Sequence, residues 1–196
     1  MKFRSLGLTA VLSIPLVLSA CGYNSIQSMD ERAKAAKQQI AVQLQRRADL
    51  VPNLVATVKG YAAQEVEIFE SVAKACAGLA GAVSGGNVTE MANANQQLGG
   101  ALTRLLAISE NYPTLKSDQT FLRLQDELTG TENRIAVART DYNQAVQEYN
   151  AYIRTFPQVL TAKVTGAKPQ DYFDVTSPGA REAPTVDFSK QPAKAP

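Results

Sequence analysis

The chain has 196 residues, a length that suits one domain with a sizeable core. It contains no His, which removes the commonest general base and the commonest metal ligand. The formal net charge is only +2, so the composition argues against nucleic-acid binding, which requires a strongly basic surface.

The chain begins with the features of a secretory signal, which we assign to residues 1–20. Lys2 and Arg4 supply a basic start, and an apolar run follows from about Leu6. A basic start, an apolar stretch and small residues before a cleavage point are the three parts of such a signal. Cleavage after residue 20 removes both cations, so Lys plus Arg falls from 20 to 18 and equals the 18 Asp plus Glu. The neutral mature chain argues against a polybasic membrane patch.

The predicted signal ends in Leu-Ser-Ala-Cys at residues 18–21, which resembles a bacterial lipobox. We therefore predict that Cys21 receives a diacylglycerol, becomes the first mature residue and carries a further acyl chain such as palmitate. An uncleaved membrane span is the alternative, but the apolar run is shorter than the roughly 20 residues a span needs, and Pro15 interrupts it. The lipid would hold the protein on a membrane of the cell envelope. If the source has two membranes, this is the periplasmic side, and Gly22 after the anchor is compatible with the outer membrane.

The first long predicted helix runs from about Ile26 to Val83. Its apolar residues recur about every 3.6 positions, the period of a straight α-helix. The row consists of Ile40, Leu44, Ala48, Val51, Val55, Val58, Ala62, Val66, Phe69, Ala73, Cys76 and Ala80. Pro52 lies within the row and predicts a kink or a break, because proline lacks the amide hydrogen and clashes with the preceding turn. A kinked continuous helix is favoured because the row keeps its phase, whereas a break would allow a four-helix bundle.

Cys76 lies in the same row and is the thiol that remains once Cys21 carries lipid. An unpaired thiol in an oxidising compartment can pair with another chain or react. We favour a buried apolar role, because free cysteine behaves as a small hydrophobe and its neighbours along the row are apolar.

Two more helices follow a stop at residues 84–87. The second is predicted from about Thr89 to Asn111, and the third from about Leu115 or Ser117 to Phe156. The third helix has large apolar residues at every seventh position, a period that implies a left-handed supercoil, as in a coiled coil. That row consists of Phe121, Leu128, Ile135, Tyr142, Tyr149 and Phe156. The chain is therefore predicted to be all-α, an elongated antiparallel up-down bundle of three long helices over residues 21–165.

Residues 166–196 differ in composition from the bundle. They hold five of the nine prolines and few large aliphatic residues, which is typical of an extended, largely disordered tail. Two aromatic-acidic patches interrupt it, at 172–175 and 186–188, and each could dock onto the bundle or bind a partner.

No catalytic residue, metal site or cofactor is predicted, because the sequence contains no His and no phosphate-binding or nucleophile motif. A hydrolase with paired carboxylates remains an alternative. Four charged residues beside the apolar rows are predicted to form a structural polar network rather than solvated surface pairs: Arg47, Asp49, Glu132 and Arg139. The third helix also repeats Tyr-Asn at 142–143 and 149–150, and these amides are predicted to hydrogen-bond between helices.

Several short motifs occur together in this chain. They are Tyr23-Asn24, the stretch 43–55 around Arg46-Arg47-Ala48-Asp49, Val58-Lys59-Gly60-Tyr61, Tyr112-Pro113-Thr114-Leu115-Lys116, the stretch 124–128, Thr131-Glu132, Ala138-Arg139, Tyr142-Asn143, Tyr149-Asn150 and Phe156-Pro157. In combination they resemble the LemA family, over roughly Tyr23 to Phe173. The resemblance implies an elongated all-α antiparallel bundle on an amino-terminal membrane anchor, usually a transmembrane segment, so a lipobox departs from the usual anchor. It implies no catalytic residue.

These observations predict a non-enzymatic, lipid-anchored scaffold or interaction module at the bacterial cell envelope. Its expected partners are the membrane and an unknown protein, or further copies of the same chain, and no nucleic acid. The alternative is an envelope protein that binds a ligand or an ion through the polar groups of the third predicted helix.

Overall fold

The structure is a computed structural model that describes residues 3–174. Side chains are described from Gly22 onward, so the Cys21 side chain and the patch at 186–188 lie outside the described residues. All the regular secondary structure within residues 3–174 is helical. The prediction of an all-α bundle is confirmed.

The first helix, α1, runs from Phe3 to Lys59 without interruption at Pro52. Pro52 is exposed, so its ring projects away from the core. Of the two predictions for this point, the continuous helix is confirmed. The chain leaves α1 at Gly60, whose amide bonds back to the carbonyls of Ala56 and Thr57.

The next helix, α2, runs from Val66 to Gly85, so the prediction of one helix reaching Val83 is wrong. The break falls at residues 60–65, and beyond it the apolar row no longer follows the buried face, since Ala73 of the row is exposed. Val66, which the row placed in the core, is more than half exposed. The buried face of α2 consists instead of Phe69, Val72, Leu79 and Ala82.

A tight turn joins α2 to α3, which runs from Val88 to Ile108. Gly86 adopts the left-handed conformation, with φ of 70°, which glycine tolerates at a helix end. Asn87 caps α3 by accepting a hydrogen bond from the Glu90 amide at 3.1 Å. The predicted stop at 84–87 is therefore confirmed, and α2 and α3 form an antiparallel hairpin.

The third predicted helix is divided in the structure. After a short 3-10 turn, α4 spans Pro113–Lys116 and α5 spans Gln119–Tyr152. Ser117 and Asp118 separate them, and the Asp118 carboxylate caps α5 by accepting a hydrogen bond from the Phe121 amide at 2.8 Å. The last helix, α6, spans Gln158–Thr165, so α5 ends before the predicted Phe156.

The helix α5 lies antiparallel to α1 along most of its length. Two pairs between the helices show the alignment, Arg32 with Glu148 and Arg47 with Glu132. A third pair, Tyr61 with Asp118, continues the order just beyond the end of α1 and just before the start of α5. We call this α1–α5 pair the rod. The α2–α3 hairpin packs on the rod and encloses the main core.

A smaller core closes the end of the rod that holds the amino-terminal part of α1. It consists of Ile26, Tyr149, Ile153 and Ala162. Gly22 is buried in the same region, and a Cβ placed on it would lie 3.5 Å from Thr161 Oγ1 of α6. The bundle is therefore packed from the residue that follows Cys21.

Candidate functional site

A buried guanidinium lies where α1, α3 and α5 meet. Arg47 of α1 is only 8% exposed. Its Nη1 donates to Asn95 Oδ1 of α3 at 2.7 Å and also to Glu132 Oε2 of α5. The structure thus brings together two residues of the predicted polar network and adds Asn95, which sequence reasoning missed because an amide inside an ordinary helix gives no signal.

The electrostatics of Arg47 follow from its burial. Burial lowers the pKa of Arg47, and the charge and hydrogen bond of Glu132 oppose that shift. The guanidinium remains charged, since arginine does not deprotonate in proteins. Arg47 Nε is buried and finds no hydrogen-bond partner among the described residues. Arg47 therefore depends on Glu132 and Asn95 for its compensation.

The other two residues of the predicted network do not join this centre. Asp49 lies on the surface of α1, where it accepts from Gln45 Nε2 at 2.8 Å. Arg139 is exposed on α5 and lies at the edge of an open groove of about 480 Å³. Arg47 and Glu132 line the same groove.

A second polar centre holds the segment 166–174 against α5. Asn143 pairs with the main chain of Phe173: the Phe173 amide donates to Asn143 Oδ1 at 2.8 Å, and Asn143 Nδ2 donates to the Phe173 carbonyl at 3.2 Å. Asn150 pairs in the same way with Gln170, at 2.8 and 2.9 Å. We call these two side chains the amide clamp.

The spacing of the amide clamp suits an extended peptide. Seven residues along a helix span about 10.5 Å, and three residues of extended chain span about 10 Å, so Asn143 and Asn150 match Phe173 and Gln170. Tyr142 adds a third bond, from its hydroxyl to the Asp171 carbonyl at 2.8 Å. The amides were predicted to bond between helices, and instead they bind this segment.

The docked segment also reaches the other helix of the rod. Gln170 Nε2 donates to Asp30 Oδ1 of α1 at 2.6 Å, and the Phe173 side chain is buried in the main core. The predicted tail begins at residue 166, and the structure differs from an extended tail over 166–174. Of the two alternatives for the patch at 172–175, docking onto the bundle is the one that the structure shows for 172–174. The reason is that two helix amides satisfy the main chain and one aromatic ring supplies apolar burial.

Two further classes of feature do not occur in the described part of the chain. Among residues whose side chains are described, no cluster of three or more Cys, Asp or Glu is suited to holding a metal ion. None of the helices within the described range combines the length and the apolar character needed to cross a membrane.

Comparison with known proteins identifies the family. The family model described as the LemA family matches residues 36–188. The chain belongs to the LemA family. The match extends beyond residue 165, where the bundle was predicted to end, and it includes the segment held by the amide clamp.

The curated relatives include magnetosome proteins. Magnetosome proteins MamQ 1 and MamQ 2 of Paramagnetospirillum magneticum are each 33% identical to this chain over 176 residues. Magnetosome protein MamQ of Magnetospirillum gryphiswaldense is 33% identical over 174 residues. Each match covers 77% of this chain and 64% of the relative, so the similarity spans less than two thirds of the relatives' length.

Proposed function

We propose that this chain is a lipoprotein, anchored through Cys21, that acts as a non-enzymatic scaffold or interaction module at the bacterial cell envelope. The observation that carries the proposal is the continuity of α1. One helix joins the residue after Cys21 to Lys59, and α5 packs along it. A lipid on Cys21 would then be attached to a packed rod.

The dimensions of the rod suit a spacer. From Gly22 to Lys59, α1 has a length of about 57 Å at 1.5 Å per residue. The two polar centres join α1, α3, α5 and the docked segment to one another, so their contacts are already used in holding the bundle together. The names of the relatives connect them with magnetosomes, which supports a part in a cellular assembly for this chain too.

The anchor is tested by Cys21→Ser. We expect this variant to accumulate as an unprocessed precursor without lipid, because the sulfur that accepts the diacylglycerol is missing. Metabolic labelling with a fatty acid and the mass of the amino-terminal peptide measure both effects. Normal processing and unchanged membrane retention in Cys21→Ser would refute the lipid anchor.

The scaffold role is tested by crosslinking in intact membranes. Gln147 lies on an open groove of about 910 Å³ beside the docked segment, together with Arg139 and Tyr172. A photo-crosslinking amino acid at Gln147 should give a discrete adduct, with another protein or with a second copy, that disappears in Cys21→Ser. The same amino acid at Val42, an exposed position on α1, serves as the control. If both positions give only monomer under every condition, the scaffold role is wrong.

A second candidate is the binding of a small polar ligand or an ion in the groove that contains Arg47, Glu132 and Arg139. The observation that favours it is the buried Arg47 Nε, a donor that faces no acceptor among the described residues. Such a ligand should raise the melting temperature of the wild type, and Glu132→Ala or Arg139→Ala should abolish the increase. A library of anions and metal ions that leaves the melting temperature unchanged would exclude this candidate.

A further inference from the structure

The outward face of α6 is apolar. Leu160 and Val164 lie one turn apart on it and are 56% and 87% exposed, whereas Ala162 on the opposite side is buried. Phe156, just before the helix, is 76% exposed. We call these three side chains, Phe156, Leu160 and Val164, the apolar face of α6.

A helix on the surface of a bundle normally turns polar residues outward. Single exposed apolar residues are ordinary, but a cluster of large ones indicates a surface that something covers. Val137 of α5 illustrates the ordinary case: it is 61% exposed, and Asn133, Arg134 and Asp141 share its groove. We therefore expect another molecule to cover the apolar face of α6.

The position of α6 indicates which occupant this is. Thr161 of α6 lies against Gly22, the residue that follows the predicted lipid attachment site. Ile26 and Ala162 then share the small core with Ile153. The apolar face of α6 is thus at the end of the rod where a lipid on Cys21 would enter a bilayer.

The charges at this end differ from those of the rest of the mature chain. Residues 150–170 contain Arg154, Lys163 and Lys168 and no acidic residue, and residues 21–29 carry no charge at all. All three cations are exposed. The nearest acids in the sequence, Asp30 and Asp171, border this end, and Asp30 is paired with Lys34 at 2.8 Å. The three cations outnumber the acids there, so the surface around α6 has a positive balance. A positive surface around exposed apolar side chains suits anionic lipid headgroups.

We propose that the apolar face of α6 inserts into the surface of the bilayer to which Cys21 is attached, with Arg154, Lys163 and Lys168 facing anionic headgroups. The inference rests on the proposed lipid anchor for its orientation and adds a second, non-covalent attachment. Interfacial helices place their apolar side chains about 5–10 Å into the boundary between headgroups and acyl chains. Two attachments at one end fix the direction in which the rod points.

The experiment uses the mature lipidated protein, purified from membranes and reconstituted into vesicles of phosphatidylglycerol and phosphatidylcholine. In a Cys76→Ala background, a cysteine at position 164 or at position 137 is labelled with an environment-sensitive fluorophore. Spin-labelled lipids should quench the label at Val164→Cys strongly and leave the label at Val137→Cys unquenched. Quenching at position 164 should be weaker in phosphatidylcholine vesicles that lack the anionic lipid.

Two variants connect the quenching to the apolar face. Phe156→Glu with Leu160→Glu should abolish lipid quenching at position 164, because two charges would have to enter the boundary region. The matched control is Leu122→Glu, an exposed leucine at the opposite end of α5, and it should change nothing. All three positions are exposed, so folding is not at risk.

The outcomes separate this inference from the anchor. The mass of the amino-terminal peptide shows whether Cys21 is acylated, independently of the quenching. Acylated protein with no quenching at position 164 overturns the inference and leaves the anchor standing. If Cys21 is not acylated, the label is measured in a Cys21→Ser background, where position 164 holds the single thiol, and quenching there supports the inference while the anchor is refuted. A label that is shielded from water but not quenched by spin-labelled lipid means that a protein covers the face, which also overturns the inference.

Discussion

The Cys76 thiol donates a hydrogen bond to the main-chain carbonyl of Ala48, with 3.4 Å between Sγ and O. Ala48 is four residues before Pro52, so its carbonyl is the one that the missing amide of Pro52 would have bonded in the helix. The thiol of α2 therefore supplies the donor that α1 lacks at this point. This contact is one physical reason why α1 can continue through a proline.

The first prediction concerns this contact. Cys76→Ala should lower the free energy of unfolding by about 1–2 kcal/mol, from the lost burial and the unpaired carbonyl. In a Pro52→Ala background the helix amide satisfies Ala48, so the same change should be less destabilising. Urea denaturation of the four proteins of this double-mutant cycle measures the difference. Equal losses in both backgrounds would show that the thiol does not compensate for the proline.

The second prediction concerns the reactivity of Cys76. Burial raises the pKa of the thiol, and the negative charge of Asp49 raises it further. The thiolate is the nucleophile, so alkylation at neutral pH should be slower in the native protein than in the unfolded one. Asp49→Asn should increase the alkylation rate, whereas Asp126→Asn on α5 should not. A native rate equal to that of the unfolded chain would contradict the burial argument.

The third prediction concerns the buried guanidinium. Glu132→Ala leaves Arg47 without its charged partner and should be destabilising by about 1–3 kcal/mol, the lower end being favoured because the Glu132 side chain is half exposed. Arg47→Met removes the buried charge altogether and should be less harmful than Glu132→Ala. Arg139→Gln, at an exposed position, provides the control and should stay within about 0.5 kcal/mol of the wild type. If Arg47→Met lowers the free energy of unfolding more than Glu132→Ala does, then Arg47 is not a buried charge that depends on Glu132.

The fourth prediction concerns the amide clamp. Asn143→Asp keeps the acceptor for the Phe173 amide and loses the donor to the Phe173 carbonyl, whereas Asn143→Leu loses both. Amide hydrogen exchange at Phe173 should therefore accelerate slightly in Asn143→Asp and strongly in Asn143→Leu. Gln144→Leu, one position along on the exposed side of α5, controls for helix stability. If exchange at Phe173 is as slow in Asn143→Leu as in the wild type, the clamp does not hold the segment.

The fifth prediction concerns pH. Burial, with a smaller effect of Asp171, raises the pKa of Tyr142 to about 12. An acid whose pKa is raised on folding contributes stability that is present below the unfolded pKa of about 10 and lost as the pH rises through 12. The docked segment should therefore loosen between about pH 10 and 12, as the hydroxyl that donates to the Asp171 carbonyl ionises. Tyrosinate absorbance and hydrogen exchange measure the two events, and Tyr142→Phe should remove this pH dependence.

The sequence predicted α5 well because its seven-residue row coincides with buried side chains from Phe121 to Tyr149. The prediction that Phe156 is the last buried residue of this row is wrong, because α5 ends at Tyr152 and the Phe156 side chain is exposed beyond it. The apolar row of the first predicted helix was also wrong at Val66, which is exposed. The turn at 60–65 shifts the buried face of α2 to Val72 and Leu79, but small apolar residues continue the earlier spacing at 73, 76 and 80. The apolar periodicity therefore gave no sign of the turn.

The polar residues show the same limit. Arg47 and Glu132 stand out in the sequence, but they are 85 residues apart, and only the antiparallel register of α1 and α5 brings them together. The repeated Tyr-Asn at 142–143 and 149–150 was visible as a pattern without its partner. The segment that these amides bind could not be identified from the sequence, because residues 166–174 have a composition typical of a linker. The amides bind its main-chain groups, which every sequence has.

The burial of Gly22 beside α6 has a mechanical consequence for an anchored protein. With the proposed lipid on Cys21, no flexible linker would separate the anchor from the packed part of α1, so the helix itself would set the distance and the orientation of the bundle relative to the membrane. Each added residue in that stretch would raise the bundle by about 1.5 Å and rotate it by about 100° around the helix axis. A partner of the proposed scaffold would then contact the bundle at one fixed distance from the membrane and on one fixed side.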